Sequence, residues 1–244
     1  VIKQLQELRN KAFSYLKGDG MAAEDELFQA EQNARLVQCA EAYYRQMFSS
    51  RINTWNLRDS HMSETLDNLH VHLSKRLGHS ARIAVWAHNS HLGDARATDM
   101  GRRGEHNVGQ LARQRYASDC VLVGFTTYRG TVSAATEWDG PVECKRVRPA
   151  LPGSIEEVLH RAHLERFILP LHGKMAEPLG ESRLQRAIGV LYLPESERAS
   201  HYFRCRLAEQ FDVILHFDET RALEPLDATS EWVLGEEETY PFGL

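Results

Sequence analysis

Cysteine is scarce and scattered. The 244 residues hold four, Cys39, Cys120, Cys144 and Cys205, and no two form a C-x-x-C pair. That excludes a disulfide frame or a zinc ribbon as the scaffold and leaves them as free cytosolic thiols. No apolar run approaches the roughly 20 residues that a bilayer crossing needs. The opening VIKQLQELRNKAF has no charged-then-apolar leader pattern, so a cytoplasmic location is the expectation. Excess positive charge is also lacking. Lys and Arg total 29 against 34 Asp and Glu, for a net charge of −5, and no basic stripe points to nucleic acid or a membrane surface. No serine sits in a G-x-S-x-G elbow, which removes the nucleophile-elbow hydrolases. Neither G-x-G-x-x-G nor G-x-x-x-x-G-K occurs, so no motif cradles a nucleotide. Internal repeats and low-complexity stretches are missing as well.

What is present is ordinary globular composition, 42% hydrophobic and 26% charged, in a chain long enough to bury a core unaided. The chain opens without methionine and inside a helical pattern, with Leu5, Leu8, Ala12 and Leu16 on one face, and is expected to be a piece of a longer protein. Residues 1–78 read as helical. The first helix stops at Gly18-Asp19-Gly20 and a second covers residues 23–49. A third covers residues 59–77, with Met62, Leu66, Leu69, Leu73 and Leu77 on one face and Gly78 as its terminating glycine. From residue 79 the pattern changes. Short apolar runs at residues 82–87, 120–125, 167–171, 188–191 and 213–217 read as buried strands. Helical stretches near residues 108–116, 155–164 and 198–210 separate several of them, the second opened by a Ser154-x-x-Glu157 capping box. A hairpin is expected around Gly130 and Asp139-Gly140. The alternation predicts one α/β unit with a mostly parallel sheet, flanking helices and a helical N-terminal segment.

The richest chemistry follows the first of those strands, in Trp86-Ala87-His88-Asn89-Ser90-His91-Leu92-Gly93-Asp94. Ligand crevices of open α/β sheets lie at the carboxyl ends of strands. Two imidazoles there can serve as base and acid near neutral pH, and Asn89 can orient a ring or donate to an oxyanion. An isolated H-x-x-H is as often a pair of histidines bonded to backbone at a strand end. A second cluster is Arg58-Asp59-Ser60-His61-Met62. Asp59 or Ser60 suits the cap of the third helix, whereas Arg58 is free to bind a carboxylate. Of the remaining histidines, His70 and His72 share no helix face, His160 and His163 read as an exposed polar face, and nothing in the sequence decides whether His201 and His216 line a cleft. A zinc site with His88 and His91 as ligands is the alternative chemistry, but a catalytic zinc wants three protein groups, which Asp94 or Asp59 would have to complete.

Taken together, Arg58-Asp59-Ser60-His61-Met62, a leucine-rich helix and then W-A-H-N-x-H at Trp86–His91 resemble the erythromycin esterase family. Asn107-Val108-Gly109-Gln110-Leu111, Gly124–Val132, Ile188–Glu195 and Gln210–Val213 look similar to later family segments, so the likeness runs over most of the chain. It is most similar to members fused to a phosphoribosyltransferase domain. The resemblance implies a domain portion spanning residues 1–244 and hydrolysis of a small-molecule ester or lactone, macrolides included. It implies water activated by histidine, with no cofactor and no obligatory metal. His88 and His91 are the catalytic candidates, with Arg58, Asp59, Asn89 and Asp94 in support. The family's first motif, a glycine–glutamate pair closely followed by histidine, has no match. Gly104-Glu105-His106 carries similar letters but lies after the W-A-H-N-x-H loop and leads into a helix. An upstream N-terminal half or a fused domain is therefore the expected partner. A truncated, non-catalytic binding module is the third reading.

Overall fold

The computed structural model of the protein describes residues 20–49, 54–173 and 176–225. The expected helix before Gly18 lies outside them. The chain builds an α/β arrangement in which helices accompany a mixed sheet.

Helices α1 (Gly20–Ser49) and α2 (Thr54–Leu77) pack side by side. Their contacts run in opposite senses, from His72 Nε2 on Asp25 at 2.9 Å to Asn68 on Gln32 at 3.4 Å, so the pair is antiparallel. The Phe28 ring stacks on His72 with centroids 4.2 Å apart. Gly78 ends α2 at φ +72°, the left-handed conformation that glycine adopts without strain. The start of α2 departs from expectation. It begins at Thr54, so Asp59 lies inside the helix and cannot cap it. Tertiary bonds hold this extra turn: Trp55 Nε1 donates to His106 O, and Asn56 brackets Gly104 O and His106 N. The buried face also differs. Met62 and Leu77 are exposed, while Asp59, Ser63 and Asp67, four residues apart, are buried. A polar row can be buried when its members find partners. Asp67 accepts from Tyr116 Oη at 2.5 Å and pairs with Arg115.

After Ala81 come the one-turn helices α3 (Asn89–Leu92) and α4 (Asp99–Arg102), then α5 (Val108–Tyr116). The last matches expectation, with Asn107 as its N-cap. The principal sheet has strands β1 (Val123–Ala134), β2 (Glu143–Val147), β3 (Arg166–Pro170) and β6 (Val213–Thr220) in the order β2-β1-β6-β3. A second sheet pairs β4 (Arg183–Arg186) with β5 (Tyr202–Cys205). Helix α6 (Ile155–His160) and the one-turn helices α7 (Glu197–Ser200) and α8 (Leu207–Gln210) complete the described elements.

The sheet is mixed and mainly antiparallel, which corrects the expectation of a mostly parallel one. Of the described strand pairs only β1 and β6 run parallel. Parallel neighbours need a long crossover, and these two have one, whereas β2 follows β1 through a turn that contains Asp139 at φ +62°. Gly130 is not that turn. It lies within β1 at φ +130°, where a Cβ would come within 2.1 Å of Thr220 O. Two further expectations fail in the second half. Residues 188–191 form no strand: among the described residues they make only an isolated parallel bridge, Leu191 to Ala135, while Ile188 packs on Ala134, Val147 and Tyr192. Strand β5 interrupts the helix expected over 198–210. The main core lies between α6, β6 and the α8 turn, around Ile155, Leu159, Leu207, Phe211 and Ile214. Among the described residues no helix is long and apolar enough to cross a membrane.

The largest departure is at Arg82–Ala87, expected as a central strand. It has no regular secondary structure, and Trp86 is 88% exposed. No neighbour meets its backbone among the described residues, and a strand exists only through its neighbours.

Candidate active site

The two histidines of the H-x-x-H stretch sit at opposite ends of α3 and meet different surroundings. His88 is the N-cap, and its Nδ1 accepts from Ser90 N–H at 3.2 Å and lies 2.8 Å from Ser90 Oγ. A nitrogen that accepts a backbone N–H carries no proton, so the proton of the neutral ring is on Nε2, which donates to Ile188 O at 2.8 Å. The residue keeps an exposed surface, yet its pinned ring loses water, and this desolvation lowers its pKa below the ordinary histidine value. His88 is thereby held neutral at pH 7. It lines an open cavity of about 1770 Å³.

His91 faces the other way, toward α2. Its Nδ1 is 2.9 and 3.0 Å from the two carboxylate oxygens of Asp59. Asp59 is fully buried and also accepts Val108 N–H at 3.1 Å. A carboxylate fixes the proton on Nδ1 and leaves the Nε2 lone pair as the basic one. That Nε2 makes no hydrogen bond among the described residues. The Trp55 ring stacks on the imidazole, centroids 4.5 Å apart and planes 6° from parallel. Helix geometry explains the meeting: Trp55 and Asp59, four apart, share one face of α2. Arg58 is exposed and lies over the Trp55 ring, 5.3 Å from its centroid.

The Asn89 and Asp94 side chains bond neither imidazole among the described residues. The Asn89 carboxamide bonds the backbone of β1, donating to Phe125 O at 2.6 Å and accepting Phe125 N–H at 3.0 Å. Asp94 is buried, caps the short 3-10 turn Ala95–Ala97 and binds Arg96 at 2.6 Å, with Arg113 at 3.7 Å. Several residues that sequence reasoning passed over shape the site. Asn107, 2% exposed, donates to Ser90 O and Gly93 O and so fixes both ends of the α3 turn. His106 Nε2 meets Ser60 Oγ at 2.8 Å, one residue from Asp59. The N-x-x-Q cap pattern at Asn107 was a readable signal, whereas nothing local announced the stack from Trp55.

The sequence profile of the erythromycin esterase family matches residues 1–220. The chain belongs to the erythromycin esterase family. Solved structures agree at the level of fold. A Bacillus cereus protein is 19% identical with a TM-score of 0.70, over 89% of this chain and 50% of that one. A succinoglycan biosynthesis protein is 20% identical with a TM-score of 0.56, over 90% of this chain and 57% of that one. A mutant of the erythromycin esterase EreC in its open conformation is 17% identical with a TM-score of 0.55, over 88% of this chain and 50% of that one. This erythromycin esterase family chain thus spans about half the length of the solved chains it matches.

Within this family member, the described residues include no group of three or more His, Cys, Asp or Glu side chains suited to a metal ion. As a zinc-ligand pair, His88 and His91 would first have to give up bonds already made. Both ring nitrogens of His88 are engaged, and His91 Nδ1 is held by Asp59.

Proposed function

We propose that the chain supplies the acid–base element of a water-activating hydrolase that acts on a small-molecule ester or lactone. The observation that carries this reading is the fully buried Asp59 carboxylate on His91 Nδ1. With Nδ1–H held, the free Nε2 lone pair accepts a proton as water attacks the carbonyl carbon. The imidazolium that forms faces the Asp59 charge, and it returns the proton to the departing alkoxide. The stack on Trp55 restricts ring rotation, which keeps Nε2 aimed in one direction. His88, held neutral, offers a donor rather than a second base. Ester and lactone chemistry comes from family membership.

The family's glycine–glutamate…histidine motif has no counterpart in the 244 residues, so turnover by these residues alone is expected to be low. The test is steady-state hydrolysis of macrolide lactones and simple carboxylic esters by this chain and by the natural protein that contains it. In the active form, His91→Ala should lower kcat at least about tenfold, with a smaller change in KM and no response to chelator. Unchanged kcat in His91→Ala would sink the proposal. Turnover abolished by chelator and restored by zinc would replace it with a metal mechanism.

A further inference from the structure

The backbone of Arg82–Ala87 makes no backbone–backbone hydrogen bond among the described residues. These residues are apolar apart from Arg82, and Val85 is 44% and Trp86 88% exposed. Unpaired backbone beside exposed apolar side chains is an unusual combination in a folded chain, because water satisfies the first at the expense of the second. Across the cavity lies the start of β1, where Val121 is 65% and Phe125 41% exposed. On one edge β1 pairs with β6 from Val123 onward. On the other it meets β2 only from Gly130 to Ala134, so its first half has an open edge among the described residues. Among the described residues Ala150 N–H and Arg186 bond Tyr128 O at the end of this half, and one side chain reaches the stretch before it. The Asn89 carboxamide bonds both N–H and C=O of Phe125, as a neighbouring strand would. Backbone groups alternate sides along a strand, so Val123 and Thr127 point theirs into the same space.

We infer that the space between Arg82–Ala87 and Val123–Thr127 is a slot for one extended, apolar β-strand, supplied by the additional half-domain that the matched solved chains carry. The incoming strand bonds the open edge of β1 on one side and Arg82–Ala87 on the other, turning both into sheet. What the two walls lack is a ladder of backbone partners at strand spacing, which a small molecule cannot supply and a polypeptide strand can. The matched chains indicate where such a strand comes from, since this chain covers only 50% of two of them. A second copy of these residues is a poorer occupant, because each described strand of the copy is already paired in its own sheet. An interior strand of this kind is rich in Val, Ile and Leu and free of proline.

Hydrogen exchange read by mass spectrometry tests the slot. The 244-residue chain alone is compared with the protein or complex that contains it, purified from its source cells. Peptides covering Arg82–Ala87 and Val123–Thr127 should exchange rapidly in the chain alone. In the native form they should be protected on the order of 100-fold or more, together with one apolar peptide from outside the 244 residues. Rapid exchange in both forms overturns the proposal. So does protection already present in the chain alone. If that protection is independent of concentration, the slot closes on itself; if it rises with concentration, a second copy fills it.

Discussion

Replacing Asp59 by asparagine tests the centre of the site without changing its shape. The carboxylate accepts two hydrogen bonds, from His91 Nδ1 at 2.9 Å and from Val108 N–H at 3.1 Å, with none of its surface exposed. Both of these bonds end on Oδ2; an asparagine oxygen placed there keeps Val108 N–H, but the NH₂ then takes the Oδ1 position and faces His91 Nδ1 at 3.0 Å. A hydrogen bond to a charged group contributes roughly 1.5–3 kcal/mol, and a buried donor without an acceptor costs about 1–3 kcal/mol. These figures describe the same lost contact, so they are not summed, and they place the destabilisation at about 1.5–3 kcal/mol. Urea unfolding of wild type and Asp59→Asn at pH 7 gives the difference directly. Nitrogen-resolved NMR of the His91 ring gives the second reading: wild type should show the proton on Nδ1, and the variant a mixture of the two neutral forms. Asp59→Ala serves as a control, because it removes both acceptors and should be at least as destabilising. Stability within about 0.5 kcal/mol of wild type, the usual range for surface changes, with the Nδ1 proton retained would refute the claim that Asp59 orients His91.

Burial pushes the carboxyl of Glu156 up to about 7 from its ordinary 4.5. The folded state therefore holds that proton more tightly than the unfolded state, and this contribution to stability is lost as pH rises from about 4.5 through 7, by roughly 3 kcal/mol in all. Glu156→Gln keeps an acceptor for Arg186 N–H and cannot ionise, so it should be more stable than wild type at pH 8 and similar at pH 4. Urea unfolding across that range checks it, and parallel pH profiles for the two proteins would contradict the assignment. Gly109→Ala adds a Cβ that would sit 2.0 Å from Leu92 O. Overpacking against backbone should lower stability by about 2–3 kcal/mol, and an unchanged thermal midpoint would show that the α3 turn is free to move away from α5.

The extent to which the sequence was legible follows from where each determinant lies. Helix α5 was readable residue by residue because its cap, its periodicity and its end are all local. Strands β3 and β6 were readable because their apolar runs do find neighbours, β6 lying between β1 and β3. Arg82–Ala87 was misread because strand formation depends on a neighbour, and apolar composition reports burial without naming what does the burying. The polar face of α2 was misread for the converse reason. Leucines at helical spacing predicted the buried side, but Asp59, Ser63 and Asp67 take it, since partners distant in sequence satisfy two of them. The H-x-x-H stretch was found from its letters. Its division into two unlike histidines was not, because Asp59 and Ile188 are remote from it in sequence.

That division has a mechanistic consequence. Two identical side chains within one helical turn are set in opposite tautomers by different neighbours. Ser90 N–H makes His88 Nδ1 the acceptor, so its proton lies on Nε2. Asp59 makes His91 Nδ1 the donor, so its lone pair lies on Nε2. Of the two Nε2 atoms, one therefore carries a proton and the other a lone pair. The arrangement is asymmetric in readiness as well. The basic nitrogen of His91 has no competing partner among the described residues, whereas the proton on His88 is already bonded to Ile188 O. A substrate oxygen that is to receive the His88 hydrogen bond must displace that carbonyl, and the Ile188–Val190 segment must shift for it to do so. Ala135 N–H holds the same segment through its bond to Val190 O.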